Sequence, residues 1–189
     1  MQVQKEEIRE KIINVAMDEF SIKGYQQVSM RNIARKVGIT AGDIYAYFSS
    51  KEYLLKYLID NAVSELQELT HDDVLLESLR SEKHLDEFAH KLARKYIEIR
   101  KSFLMLIKGC EGSRFESVRV SLIEGASKKL IAIFSEKLLN RKYLSEAIAV
   151  SLIQGIMYIF RQHNGNYELF STRLSDYLKL MLGSLYRKE

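Results

Sequence analysis

Four side chains in the first third of the chain stand where binding of an anion is built into the backbone. Ser29, Thr40 and Lys51 lie at or just inside the starts of helical patterns, where unpaired backbone N–H groups and the helix dipole favour a phosphate. Arg31, two residues after Ser29, carries a guanidinium that fits a phosphate or the O6/N7 edge of a guanine. The remaining reactive residue types are scattered. Cys110, close in sequence to Lys108, serves as an oxidant sensor only if it is exposed with a lowered pKa, and otherwise is an inert thiol at a helix end. His71, His84, His90 and His163 lack the i, i+4 spacing of a helical metal pair and have no cysteine cluster beside them, so no metal and no cofactor are expected. Gly109 and Gly112 form a GxxG, but Glu111 between them repels phosphate and no strand pattern flanks it. No nucleophile, base and orienter set is present, which argues against an enzyme.

The elements that must hold these residues are helices. The 189 residues include no Pro and only nine Gly, so the strongest helix breakers are nearly absent. With 47% hydrophobic and 29% charged residues the chain is neither disordered nor fibrous, and one Cys cannot form an internal disulfide. The charged start MQVQKEEIREK is unlike a signal peptide, and the longest apolar stretch, Ala147 to Phe160, is interrupted by Ser151 and Gln154 and reads as a buried helix. A cytoplasmic protein with no membrane partner is expected. The net charge of +4 permits an anionic partner without demanding one.

From Gln4 to Lys23, Ile8, Ile12, Val15, Ala16 and Phe20 trace one helical face, and Gly24 can close that helix. Ser29 caps a second, short helix with Met30, Ile33, Ala34 and Val37 inward, ending at Gly38. Thr40 to Asp43 has the spacing of a capping box, which predicts a third helix from Ala41 with Ile44 and Phe48 inward; Ser49 to Glu52 repeats the device and opens a longer fourth helix. Thr70 to His84 reads as a helix end, a loop and a short turn. Four further helices are predicted, roughly 85–108, 115–139, 144–163 and 167–187, punctuated at Gly109–Ser113, Asn140–Lys142 and Asn164–Asn166.

Ala34, Gly38 and Ile44 stand at relative positions 5, 9 and 15 of a helix-turn-helix unit. A small residue lets the two helices approach, Gly permits the positive φ of the turn, and Ile plugs the angle between them. With Gly24-Tyr25, Ser29 to Ala34, Val37 to Ile39, Ile44 to Phe48 and Ser50 to Leu55, the stretch from about residue 8 to 58 resembles the DNA-binding domain of the tetracycline-repressor (TetR) family of bacterial regulators. That resemblance implies an all-α homodimer: an N-terminal three-helix helix-turn-helix domain, residues 1–52, followed by a helical ligand-binding and dimerisation domain, residues 53–189. It also implies that Ser29, Arg31, Thr40, Tyr45 and Lys51 anchor phosphates, while Ala41, Gly42 and Tyr47 lie at or near base edges of a double-stranded operator. Helical geometry agrees, since Gly42, Asp43, Ala46 and Tyr47 spread over the side opposite Ile44 and Phe48, and the small residues let the backbone sit deep in a major groove.

Three positions depart from the family pattern: Tyr47 stands where His is common, Ala46 replaces an aromatic, and Asp43 puts a carboxylate on the reading helix. Asp43 either accepts from a cytosine N4 amino group or serves only the capping box. Residues 1–52 hold eight Lys/Arg against seven Asp/Glu, a net of +1, so a few placed contacts must carry affinity and the salt dependence per subunit should be modest.

In the second domain, the last two helices are apolar over more than one stripe, which suggests a dimer interface containing Ile148, Leu152, Gly155, Leu174, Leu178 and Met181, with Gly155 allowing close helix approach. Tyr96, Phe103, Phe115, Phe134, Met157 and Tyr158 offer aromatic and Met surface for a small apolar effector, although each also suits core packing. The resemblance therefore implies a ligand-responsive repressor on a palindromic operator. The other readings are a small all-α enzyme acting on an apolar substrate and a helical interaction module that has lost DNA binding.

Overall fold

The computed structural model describes residues 2–138, 141–163 and 165–186, among which every regular element is helical. In chain order these are α1 (Gln2–Gln27), α2 (Met30–Val37), α3 (Ile44–Tyr47), α4 (Lys51–His71), α5 (Asp73–Glu77), α6 (Leu85–Leu104), α7 (Glu116–Lys137), α8 (Lys142–Arg161) and α9 (Tyr167–Leu182). The weak stretch after Thr70 is more regular than its sequence suggests, with α4 running through His71 and then α5 and two short 3₁₀ turns, Ser78–Arg80 and Glu82–His84. The helix expected to continue to Lys108 instead ends at Leu104 and passes into a π-helical turn, Met105–Gly109. Of the predicted boundaries, Leu139, Asn140, Asn164 and Arg187 lie outside the described residues.

The chain divides into two compact units. One holds the residues through Ser64 together with Ile99–Val120, and the other holds Glu65–Glu98 and the residues from Ser121 onward.

The core of the first unit is the expected one. Ile12, Ala16 and Phe20 of α1 meet Ile33 and Ala34 of α2, Ile44 and Phe48 around α3, and Leu54, Leu55 and Leu58 of α4, all buried. Gly24 interrupts α1 at φ 75°, ψ 168°, backbone that only Gly adopts freely, and turns the chain toward Ser29. The π-helical turn belongs to this core as well. A Cβ at Gly109 would stand 3.3 Å from the carbonyl oxygen of Phe20, so the absence of a side chain lets the turn press against α1.

The second unit is organised by aromatic rings. Tyr96 of α6 stacks on Phe160 of α8 with centroids 4.0 Å apart, Phe170 of α9 lies 5.2 Å from Tyr96, and His163 lies 4.3 Å from Phe170. The Tyr96 hydroxyl donates to the Phe160 carbonyl oxygen at 2.6 Å, which satisfies the one polar atom the ring carries into the core. Between α8 and α9, Tyr177 lies over Gly155, where a Cβ would come within 2.1 Å of its ring, and its hydroxyl donates to the Ser151 carbonyl oxygen at 2.5 Å. The close approach that Gly155 allows is thus made inside one chain.

Two expectations for α8 and α9 need correction. Leu152, Leu174 and Leu178 are closed into the unit's own core, at 0–1% exposure, because they share the inward stripe with Ala149 and Phe160. Conversely, α8 as a whole is not a buried helix. It runs 20 residues and contains an 18-residue stretch of mean hydropathy 1.5, long and apolar enough to cross a membrane, of which 28% is buried. Ser151 and Gln154 do not offset the apolar residues around them, and Tyr143, Val150 and Tyr158 face outward.

Candidate nucleic-acid interface

Each phosphate-directed residue predicted from sequence sits where helix ends place it. The Ser29 Oγ accepts from the Asn32 N–H at 3.2 Å and caps α2. Gly38 ends α2 at φ 86°, ψ 28°, its N–H donating to the Ala34 carbonyl at 3.0 Å, so a left-handed residue makes the sharp turn. The capping box then closes in both directions: the Asp43 N–H donates to Thr40 Oγ1 at 3.1 Å and the Thr40 N–H to Asp43 Oδ2 at 3.3 Å. The turn it encloses is held by i to i+3 bonds, Tyr45 N–H to Gly42 O and Ala46 N–H to Asp43 O, so regular helix begins at Ile44 rather than at Ala41. In both caps the hydroxyl accepts, which leaves its hydrogen to donate outward.

Around this turn Ala41, Gly42, Asp43, Tyr45 and Ala46 are exposed, whereas Ile44 and Phe48 are fully buried. Tyr47 is half-buried, and Tyr45, at 53% exposure, is the more available of the two tyrosines. Arg31 and Arg35 are exposed on α2.

Lys51 has a second task. Its Nζ donates to the carbonyl oxygens of Tyr25 at 2.9 Å and Val28 at 3.0 Å and stands 4.0 Å from the Tyr25 ring centroid. The first residue of α4 therefore pins the connection between α1 and α2, and only one of its three N–H donors is left for another acceptor. Sequence reasoning missed this because the carbonyls belong to residues 23 and 26 positions away.

Two further charged residues shape the unit. Glu19, 3% exposed, accepts from Lys23 at 2.7 Å and from Lys36 at 2.5 Å, joining α1 to α2. The hydrogen bond from Lys23 and then that from Lys36 hold its carboxyl below the ordinary range, against the opposing effect of burial. On α1, the Arg9 guanidinium lies 4.7 Å from the Tyr57 ring centroid and 5.4 Å from that of Phe48, and Nη1 donates to the Tyr57 hydroxyl at 3.2 Å.

Phe103 and Phe115 belong to the first unit and Tyr96, Phe134, Met157 and Tyr158 to the second. Tyr96 and Phe134 are closed into the core of the second unit, and Tyr158 is 63% exposed. Ile148, Gly155 and Met181 are half-buried. Cys110 is buried, and desolvation pushes its thiol up to about 11, which keeps it protonated at neutral pH and removes the nucleophilic thiolate. Among the described residues no three His, Cys, Asp or Glu side chains are grouped to hold a metal ion.

Residues 12–58 match the family model described as bacterial regulatory proteins, tetR family. An uncharacterized HTH-type transcriptional regulator of Bacillus subtilis, YdgC, is 33% identical over 76 residues, covering 40% of this chain and 39% of its own length. A TetR-family transcriptional regulator from Bordetella parapertussis superposes with a TM-score of 0.69 at 20% identity, over 93% of this chain and 94% of that one. NalD of Pseudomonas aeruginosa, described as the secondary repressor of the MexAB-OprM multidrug efflux pump, superposes with a TM-score of 0.57 at 16% identity over 96% and 95%. The two structural likenesses are of fold, and they extend the similarity beyond the helix-turn-helix to nearly the whole chain.

Proposed function

We propose, from the match of residues 12–58 to the model of bacterial regulatory proteins, tetR family, that the chain is a sequence-specific DNA-binding transcriptional regulator whose chemistry is recognition rather than catalysis. In this reading residues 1–52 are the DNA-binding domain and 53–189 the effector and dimerisation domain, and the protein works in the cytoplasm as a homodimer on a palindromic operator. Its regulatory sign is repression, as for the repressor NalD. Two α3 helices would enter successive major grooves about 34 to 36 Å apart. The supporting observation is the capped turn Thr40–Asp43 leading into α3, which exposes Ala41, Gly42, Tyr45 and Ala46, with Ser29 exposed at the start of α2. Ser29, Arg31, Thr40 and Tyr45 hold phosphates, Ala41, Gly42 and Tyr47 lie against base edges, and Lys51 contributes its remaining donor while pinning the loop.

The dimer uses the outer face of α8 and α9, where Tyr143, Val150, Tyr158 and Leu180 are exposed. A small apolar effector bound in residues 53–189 releases the operator only if it prefers the conformation whose reading helices are wrongly spaced.

Footprinting the purified chain on DNA upstream of its own gene tests the reading. Arg31→Ala and Tyr45→Ala alter exposed side chains and should remove protection while leaving the thermal melt unchanged. Protection that survives both substitutions would show that α2 and α3 are not the reading surface.

A further inference from the structure

We propose that Arg9, which lies before the segment matched by the family model, is an additional phosphate anchor of the reading unit, pre-set in position by Tyr57 and Phe48. The inference rests on the DNA-binding reading above and adds a contact from α1 to those expected from α2, α3 and α4. Phe48 is the residue that closes α3, so a guanidinium packed on its ring stands at the C-terminal end of the reading helix. The face of the guanidinium is covered by two rings, and one Nη1 hydrogen is taken by the Tyr57 hydroxyl. The Glu6 carboxylate also lies on the Nη1 side, at 3.9 Å, which leaves the Nε and Nη2 donors of the five N–H groups for a further acceptor.

That arrangement suits a phosphate better than it suits packing alone. A planar fork held against two rings loses little freedom when it forms two further bonds, and a phosphate accepts both in parallel. An aliphatic side chain would cover the same rings without bringing a charge to a unit whose Lys23 and Lys36 are already engaged by Glu19. Lys5 stands one turn earlier and is exposed, but Glu6, Glu7 and Glu10 lie beside it, so the contact rests on Arg9 itself rather than on a basic stripe along α1.

The salt dependence of binding separates a phosphate contact from a merely positioning role. The probe is a labelled duplex selected by the wild-type protein from a randomised library, with affinity measured between about 50 and 200 mM KCl. Arg9→Gln should weaken binding about tenfold at the lower salt and reduce the slope of log affinity against log salt by about 0.9 for each chain bound, or about 1.8 for a dimer. Arg9→Lys should keep the wild-type slope. Tyr57→Phe, which retains the ring and removes the hydroxyl, should weaken binding severalfold with the slope unchanged. If Arg9→Gln unfolds, the decision passes to Arg9→Lys, whose loss of slope would overturn the assignment because it retains the charge. A wild-type slope in Arg9→Gln would overturn it too, while leaving the DNA-binding reading in place. Failure of the wild-type chain to select any sequence would remove both.

Discussion

The two compact units are held together by different kinds of residue, and the difference decides how each responds to perturbation. In the first unit, position is set at helix ends by polar groups: Ser29, the Thr40–Asp43 pair, Lys51 on two carbonyls, and Glu19 between two lysines. In the second, position is set by rings, with Tyr96 in the middle of α6 packed against Phe160, His163 and Phe170 around the α8–α9 connection. Polar fixings are individually weak, directional and sensitive to pH. Ring packing buries more surface per residue and depends less on direction.

The largest effect should therefore come from the ring cluster. Tyr96→Ala removes a side chain that is 1% exposed and leaves a cavity between α6, α8 and α9, at a cost of about 3 to 5 kcal/mol. Tyr96→Phe keeps the ring and loses the bond to the Phe160 carbonyl, at about 1 to 2 kcal/mol. Urea unfolding followed by circular dichroism measures both. Equal losses for the two variants would mean that the hydrogen bond, rather than the ring, holds the second unit, and the contrast between the units would fail.

Next comes Glu19. Its folded carboxyl is held below the unfolded value, so its contribution is fully present above the unfolded pKa and is lost as pH falls through the lowered folded one. Glu19→Gln should cost about 2 kcal/mol at neutral pH. It should also flatten the acid limb of the first unit's stability curve below the ordinary Glu range, where wild type and variant converge. A constant gap between the two proteins down to strong acid would show that the loss is one of packing.

The same contrast explains what was legible in the sequence. The helix-turn-helix could be read because each determinant acts over three or four residues: Ser29 on Asn32, Gly38 on Ala34, Thr40 on Asp43. Those spacings are visible without knowing what else touches them. Lys51 was seen at its helix start, but its two carbonyls lie far upstream. The turn Met105–Gly109 was read as helix and punctuation, since its place against Phe20 depends on a contact between residues nearly ninety positions apart. In the second unit Tyr96, Phe134 and Leu152 look the same in sequence whether they line a cavity, a core or an interface. Hydrophobic periodicity marks a face and says nothing of what covers it.

Within the polar unit, a smaller experiment ranks geometry against charge. Thr40→Ala deletes the acceptor for the Asp43 N–H and should cost about 1 kcal/mol. Asp43→Asn keeps an oxygen for the Thr40 N–H, so its cost should be a few tenths of a kcal/mol by thermal melt. If Asp43→Asn costs as much as Thr40→Ala, the carboxylate charge is needed for the turn, and Asp43 is then unavailable as a reader of bases.

The smallest change in fold stability should accompany a large change in assembly. Leu180 is 80% exposed on α9, on the side away from Leu174, Leu178 and Leu182, which fill the core. Leu180→Glu touches none of the ring cluster and should shift unfolding by about 0.5 kcal/mol or less. The outer face of α8 and α9 nevertheless carries Val150, Tyr158 and Leu180 as uncovered apolar surface, and a carboxylate buried against the same face of a second copy would be left unpaired. Sedimentation velocity should show a dimer becoming a monomer. A dimer that persists in Leu180→Glu would place the second copy elsewhere. Loss of the fold together with the dimer would mean that the second unit depends on its partner for stability, and that its rings do not suffice as the first unit's caps do.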